Sequence, residues 1–150
     1  MIGKQIRLDR IKDKKSGKSV IIPMDHGMTL GPIRNLTNIA DVVEKAAEGG
    51  ANAVVLHKGM AERCYVCRQK GFSDIGLIVH LSASSMLSPC PDYKTLICTP
   101  EEALTQYGAD AVSIHVNIGA ENEPQMLKDL GYVVRESSKL ELPVLAMMYP

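Results

Sequence analysis

The chain has 150 residues, 45% hydrophobic and 23% charged, enough for one domain with a proper core and unlike a disordered sequence. Lysine plus arginine number 17, as do aspartate plus glutamate, so no overall field recruits nucleic acid or an anionic membrane. No apolar run approaches the roughly 20 residues that span a bilayer, and Lys4, Arg7 and Asp9 do not lead into a signal-peptide core, so the expected location is the cytoplasm.

The basic run from Lys4 to Lys18 reads as a solvated lead-in helix and turn, covering residues 1–18. Residues 19–150 then read as one incomplete domain of five βα-type units. Ser19–Asp25 is a short apolar run of the kind a parallel strand buried on both faces requires, and Asp25, His26 and Gly27 sit where it emerges. Ile39, Val42, Val43, Ala46 and Ala47 recur at helical spacing and stop at Gly49-Gly50, a helix-ending signal. Ala53–His57 is the second strand, Met60–Lys70 a less regular helix, and Gly76–Leu81 the third strand. Ser82–Cys98 reads as a long irregular loop, confined by Pro89 and Pro91, with Ser82, Ser84, Ser85 and Ser88 offering hydroxyls. Thr99-Pro100-Glu101-Glu102 has the form of a capping box opening a short helix that ends near Gly108. Ala111–Val116 is the fourth strand. Leu127, Leu130 and Val134 mark the apolar stripe of the next helix, and Pro143–Tyr149 is the fifth strand.

Four of these strands end in histidine and the fifth in tyrosine: His26, His57, His80, His115 and Tyr149, separated by 31, 23, 35 and 34 residues. Parallel strands joined by helical crossovers present their C-terminal ends on one rim, so these side chains converge there. Gly50–His57 (GANAVVLH) recurs as Gly108–His115 (GADAVSIH), the echo expected of repeated βα modules. Eight units of this size make a (β/α)8 barrel of roughly 250 residues, so the fold class is α/β, a partial TIM barrel comprising strands one to five of eight. The structural alternative is an open doubly wound sheet, in which the strand order reverses at a switch point. A five-stranded piece of barrel leaves both outer strands unpaired, which points to a fragment or to a partner supplying the rest.

Cys64, Cys67, Cys90 and Cys98 include one C-x-x-C, but the second pair is C-x7-C and the first does not follow a strand directly, so ordinary reduced cysteines are expected rather than a zinc or thioredoxin-like site. Lys58 is the only lysine on a strand-end motif. It sits beside His57 and is expected to have a structural or substrate-contact role. Strand alternation sends His26 away from Asp25 unless the strand has already ended.

The runs VIIPMDHG (Val20–Gly27), EGGANAVVLHKG (Glu48–Gly59), GLIVHLS (Gly76–Ser82), GADAVSIHVNIG (Gly108–Gly119) and LAMMYP (Leu145–Pro150) closely resemble the archaeal-type class I aldolases. That family includes fructose-bisphosphate aldolase and the 2-amino-3,7-dideoxy-D-threo-hept-6-ulosonate synthase of an alternative route to 3-dehydroquinate, and the stretch from LSASS through MMYP favours the synthase. The resemblance implies a barrel enzyme without metal or cofactor that joins a lysine to a ketone as a Schiff base and makes or breaks a carbon–carbon bond in a phosphorylated sugar. It further implies a homo-oligomer at full length. In the family the lysine lies on strand six and phosphate-binding glycines follow strands seven and eight, all beyond residue 150, so the 150-residue chain alone is expected to be inactive. The resemblance leaves Asp25, His26 and Tyr149 as the catalytic candidates. A tyrosine hydroxyl can exchange protons with a carbinolamine, and a carboxylate at a strand end can take a hydroxyl proton. His57, Lys58, Ser82, Ser84 and His115 are the candidate substrate contacts.

Overall fold

The strands form where short apolar runs allow both faces to be covered. The computed structural model describes residues 2–72 and 74–150; Met1, the first residue of the lead-in, lies outside the described residues. In chain order its elements are α1 (Ile2–Arg10), β1 (Ile21–Pro23), α2 (His26–Leu30), α3 (Ile39–Glu48), β2 (Ala53–His57), a 3-10 turn (Lys58–Met60), α4 (Ala61–Gln69), β3 (Gly76–His80), β4 (Ser82–Ala83), β5 (Thr95–Leu96), α5 (Pro100–Tyr107), β6 (Ala111–Asn117), α6 (Glu123–Lys139) and β7 (Val144–Tyr149). β1, β2, β3, β6 and β7 make one sheet in that order, every pair parallel. Spatial order follows chain order without reversal. This is the wall of a barrel and not a doubly wound sheet, which would place a switch point inside it.

Alternation along the strands divides the core in two. Val54, Leu56, Leu77, Val79, Val112 and Ile114 face the helices and pack with Val43, Cys64, Ala103 and Val133. Ala53, Val55, Ile78 and Ala111 face the other way and pack with Ile11, Leu8, Ile21, Leu145 and Met147. The second cluster is the floor of the concave face. α1 closes it from the N-terminal end of the strands, so the lead-in is more than a solvated helix. Ile11 is 7% exposed, and Arg10 donates to Asp110, which is wholly buried, also receives Arg68, and accepts from the Leu77 N–H. Gly76 permits this closure: a Cβ there would stand 2.7 Å from Ile11 Cγ2 and 3.1 Å from the Arg10 carbonyl oxygen.

Three local expectations differ from what forms. β1 is shorter than Ser19–Asp25: Pro23 has no N–H for the ladder, and Asp25 already has helical dihedrals (φ −87°, ψ −1°) as the residue that opens α2, an element the sequence reading lacked. The stretch Ser82–Cys98 is not wholly irregular, because β4 and β5 pair antiparallel through Ser82 with Leu96 and Ala83 with Thr95. On α6 the buried residues are Met126, Val133 and Ser137, while Leu127 and Val134 are exposed. Leu130 packs partly buried against the core as read, while Met126 and Val133 take the fully buried places, because a stripe shifted by one position satisfies the same helical spacing. α5 forms as read: Thr99 accepts from the Glu102 N–H at 3.1 Å, Pro100 occupies the first turn, and Gly108 ends the helix left-handed at φ 63°.

Candidate active site

The concave face changes character from floor to rim. Along β2 it presents Ala53, Val55, then His57; along β3 Gly76, Ile78, then His80; along β6 Ala111, Ser113, His115, then Asn117; along β7 Leu145, Met147, then Tyr149. The polar residues thus share the C-terminal ends, where barrel chemistry is housed. A cavity of about 310 Å³ opens there, with Asp25, His26, His57, His80, Ser82, Lys94, His115 and Tyr149 in its wall. A larger concavity of about 970 Å³ lies at the opposite end between α1 and α4. Its central carboxylate, Asp110, is already consumed by Arg10 and Arg68, so the smaller cavity is the better candidate.

His80 is the hub. One ring nitrogen, Nδ1, lies 2.7 Å from Ser113 Oγ; the other, Nε2, lies 3.4 Å from Ser82 Oγ and 3.6 Å from Asp25 Oδ2. The last distance is too long for a direct hydrogen bond. Burial pushes the pKa of His80 down to about 4, against the pull of Asp25, so the ring is neutral near pH 7. The contact with Asp25 is therefore dipolar and not an ion pair. Burial also lowers His57 and His115. His57 meets His80 edge to face at 5.2 Å between centroids, and His57 Nδ1 is buried without a hydrogen-bond partner among the described residues. His115 stacks on Tyr149 at 4.5 Å, its backbone N–H donates to Ser82 Oγ at 3.0 Å, and its Nε2 lies 2.7 Å from Asn117 Oδ1. A neutral ring satisfies that last contact by donating from Nε2, leaving Nδ1 as an acceptor.

Asp25 and His26 both face the cavity, because the strand has ended before them; Asp25 Oδ1 is 3.8 Å from His26 Nδ1. Tyr149 is half exposed at the rim. Two candidates stand elsewhere. Lys58 Nζ pairs with Glu102 Oε1 at 2.9 Å, which raises its pKa, and it is not part of the cavity wall. Ser84 faces its own loop, donating to the Pro91 carbonyl oxygen at 2.6 Å. The lysine that does reach the cavity is Lys94, which the sequence reading passed over because it lies in the Ser82–Cys98 loop and not at a strand end. Burial lowers its pKa. Asn117 was missed for a like reason: it is two residues past the histidine of its motif, yet it holds the His115 ring and, through Nδ2, the Asp92 carbonyl oxygen at 2.6 Å. Cys64 and Cys98 are buried and their thiols are pushed up to about 11 and about 12, opposite to what a redox or nucleophilic cysteine needs.

Residues 19–150 match the family of DeoC/LacD aldolases. The chain is 42% identical over 150 residues to 2-amino-3,7-dideoxy-D-threo-hept-6-ulosonate synthase 1 of Archaeoglobus fulgidus, covering 100% of this chain and 55% of that protein. It is 37% identical over 147 residues to the 2-amino-4,5-dihydroxy-6-oxo-7-(phosphonooxy)heptanoate synthase of Streptomyces griseus, covering 98% of this chain and 52% of that one. Among solved structures, a Schiff-base-forming fructose-1,6-bisphosphate aldolase superimposes with a TM-score of 0.80 at 26% identity, over 95% of this chain and 56% of the other. The five-stranded sheet is thus a curled half-barrel of the TIM-barrel aldolase type. The chain spans about half the length of the relatives it matches.

Proposed function

Because the chain belongs to the DeoC/LacD aldolase family, we propose that it forms the acid/base half of a class I aldolase or transaldolase acting on a seven-carbon 6-oxo acid of the kind its relatives' names describe. In such a molecule the ketone is carbon 6 and hydroxyls stand on carbons 4 and 5. An amine condenses with the ketone, loses water and leaves an iminium; loss of the proton on the carbon 4 hydroxyl then drives the carbon 4–carbon 5 electron pair into an enamine and releases an aldehyde. Synthesis is the reverse. The amine is assigned to a lysine outside these 150 residues, on the sixth strand that the family resemblance implies.

What supports this reading is the meeting of Asp25, just past the end of β1, and Tyr149, at the end of β7, in the wall of one cavity whose buried histidines are uncharged. Tyr149 is assigned the proton exchange with the carbinolamine. Asp25 is assigned the proton of the carbon 4 hydroxyl, a base role open to it because no lysine or arginine pairs with it among the described residues. Fructose bisphosphate is the second substrate reading, favoured by the superposition on the bisphosphate aldolase.

In the protein at full natural length, Tyr149→Phe is expected to slow aldol turnover roughly 100-fold or more, and further than His80→Ala does. Asp25→Asn is expected to be as damaging while leaving the lysine open to borohydride trapping, since it removes a base and not the nucleophile. Near-wild-type turnover by Tyr149→Phe would mean that the proton carrier lies elsewhere. The 150-residue chain alone should yield no reduced adduct with dihydroxyacetone phosphate; mass spectrometry finding one on Lys58 or Lys94 would reassign the nucleophile.

A further inference from the structure

The floor of the half-barrel contains a polar side chain that the proposed chemistry leaves without a task. Where Gly50–His57 carries Val55, its copy Gly108–His115 carries Ser113. Val55 packs in the apolar layer with Ala53 and Ile78, and Ser113 takes the matching inward place on β6, between Ala111 and His115. It is wholly buried. Burying a hydroxyl where a valine would fit is unfavourable unless the hydroxyl is used. Its sole hydrogen-bond partner among the described residues is His80 Nδ1, at 2.7 Å across the level pair that β3 and β6 make.

The direction of that bond follows from what each group still lacks. A hydroxyl has one proton to give, and Ser113 has no other acceptor for it among the described residues, so it donates to Nδ1. A neutral imidazole that accepts at Nδ1 carries its proton on Nε2. Nε2 is the nitrogen that lies 3.6 Å from Asp25 Oδ2 and 3.4 Å from Ser82 Oγ, so the N–H dipole turns its positive end toward the carboxylate. The opposite tautomer would strand the Ser113 proton and set a lone pair against Asp25. Burial, together with the charges of His57, His115 and Lys94, keeps the ring neutral against the pull of Asp25. The arrangement is therefore one of dipole and charge.

We infer that Ser113 is a positioning residue, whose hydroxyl locks the His80 ring so that Nε2–H faces Asp25 and orients the carboxylate for the proton it takes. The inference rests on the base role proposed for Asp25. Ser113 is not in the cavity wall, so it acts only through His80. Asp25 needs such a hold: it opens α2 without a side-chain bond to the helix, and no lysine or arginine pairs with it among the described residues. An ammonium or guanidinium in that place would orient a carboxylate equally well but weaken it as a base, whereas a neutral N–H dipole orients it at less cost to basicity. The two supports are rigid, because β3 and β6 are each bonded to a strand on both sides.

The state of the His80 ring can be read without turnover. Nitrogen NMR of the full-length protein carrying isotopically labelled histidine, with His80→Gln to assign the ring, should show Nε2 protonated and Nδ1 shifted as a hydrogen-bonded acceptor. Ser113→Val, which installs the residue of the other copy, should move Nδ1 to the position of a free acceptor; Ser113→Thr, of the same shape but with a hydroxyl, should not. Ser113→Ala takes the place of the valine variant if that does not fold. Aldol turnover should fall about 10-fold to 100-fold with Ser113→Val or Ser113→Ala, the range of a misplaced reacting group, and Ser113→Thr should rescue it. Borohydride trapping of dihydroxyacetone phosphate should proceed in all of them, since the nucleophile is untouched. The inference is overturned if Nδ1 of the wild type carries the proton, if its resonance ignores loss of the hydroxyl, or if valine and threonine slow turnover equally. Asp25→Asn is measured alongside: wild-type turnover there would remove the base reading, while the ring's proton and its bond to Ser113 are read independently of that result.

Discussion

His80 shows how one buried ring ties stability to pH. Its folded pKa of about 4 lies below the ordinary 6.5, so between those values the unfolded chain binds a proton that the native chain refuses. Stability therefore falls as pH drops from about 6.5 toward about 4, by about 3 kcal/mol for this ring, and it is fully present above that window. The lowered pKa values of His57 and His115 act in the same direction. Urea midpoints measured near neutral pH and at about pH 5 should differ accordingly, with His80→Gln flattening the dependence. A midpoint that does not move with pH would mean that the ring is not held neutral. At this scale the sequence was informative about strand ends and blind to loops: Asp25, His57, His115 and Tyr149 reach the cavity, whereas the relevance of Lys94 depends on a loop path that no spacing encodes.

Elements were legible where the chain carries its own punctuation. Thr99, Pro100 and Gly108 bound α5 as read, and each boundary has a measurable worth. Thr99→Ala should cost about 1 kcal/mol by orphaning the Glu102 N–H. Gly108→Ala should cost about 1 kcal/mol or more, since a Cβ is strained at φ 63°. Gly76→Ala should be worse than either, roughly 2 kcal/mol or more, because it overpacks the junction of β3 with Ile11. Equilibrium unfolding of the three variants checks the order, and a Gly76→Ala protein as stable as the wild type would show that α1 can be displaced freely. Elements were illegible where tertiary context decides between equivalent patterns. Helical spacing alone cannot choose the Met126–Val133 stripe of α6 over Leu127–Val134, and nothing in LSASS announces that Ser82–Ala83 pairs with Thr95–Leu96.

For the whole molecule, the pairing order predicts an uneven resistance to opening. β2, β3 and β6 are bonded on both sides, while β1 and β7 are each bonded on one side among the described residues. Hydrogen exchange of the 150-residue chain should therefore protect Val54–Leu56, Leu77–Val79 and Val112–Val116 most and the amides of β1 and β7 least. Uniform protection across all five strands would show that something else covers the edges. Asp110 is the corresponding weak point at the base. Asp110→Ala removes the acceptor of Arg10, Arg68 and the Leu77 N–H at once, and about 3 kcal/mol of stability should be lost, more than for Arg10→Ala, whose side chain is 61% exposed. The parallel half-barrel was readable from the even spacing of strand ends; its closure by α1 was not, because Arg10 and Asp110 are far apart in the chain and each alone is an ordinary surface type.

The stagger of the sheet gives the rim a staircase shape. His57 pairs level with His80, and His80 with Ser113, but His115 stands opposite Met147 and Asn117 opposite Tyr149. The imidazole of β6 is therefore two residues, roughly 7 Å, further along its strand than the row of His57 and His80. A small ligand that touches both levels must lie extended. The half-barrel then works as a ruler, in which a ligand too short to span the two levels gives up a landing on one step.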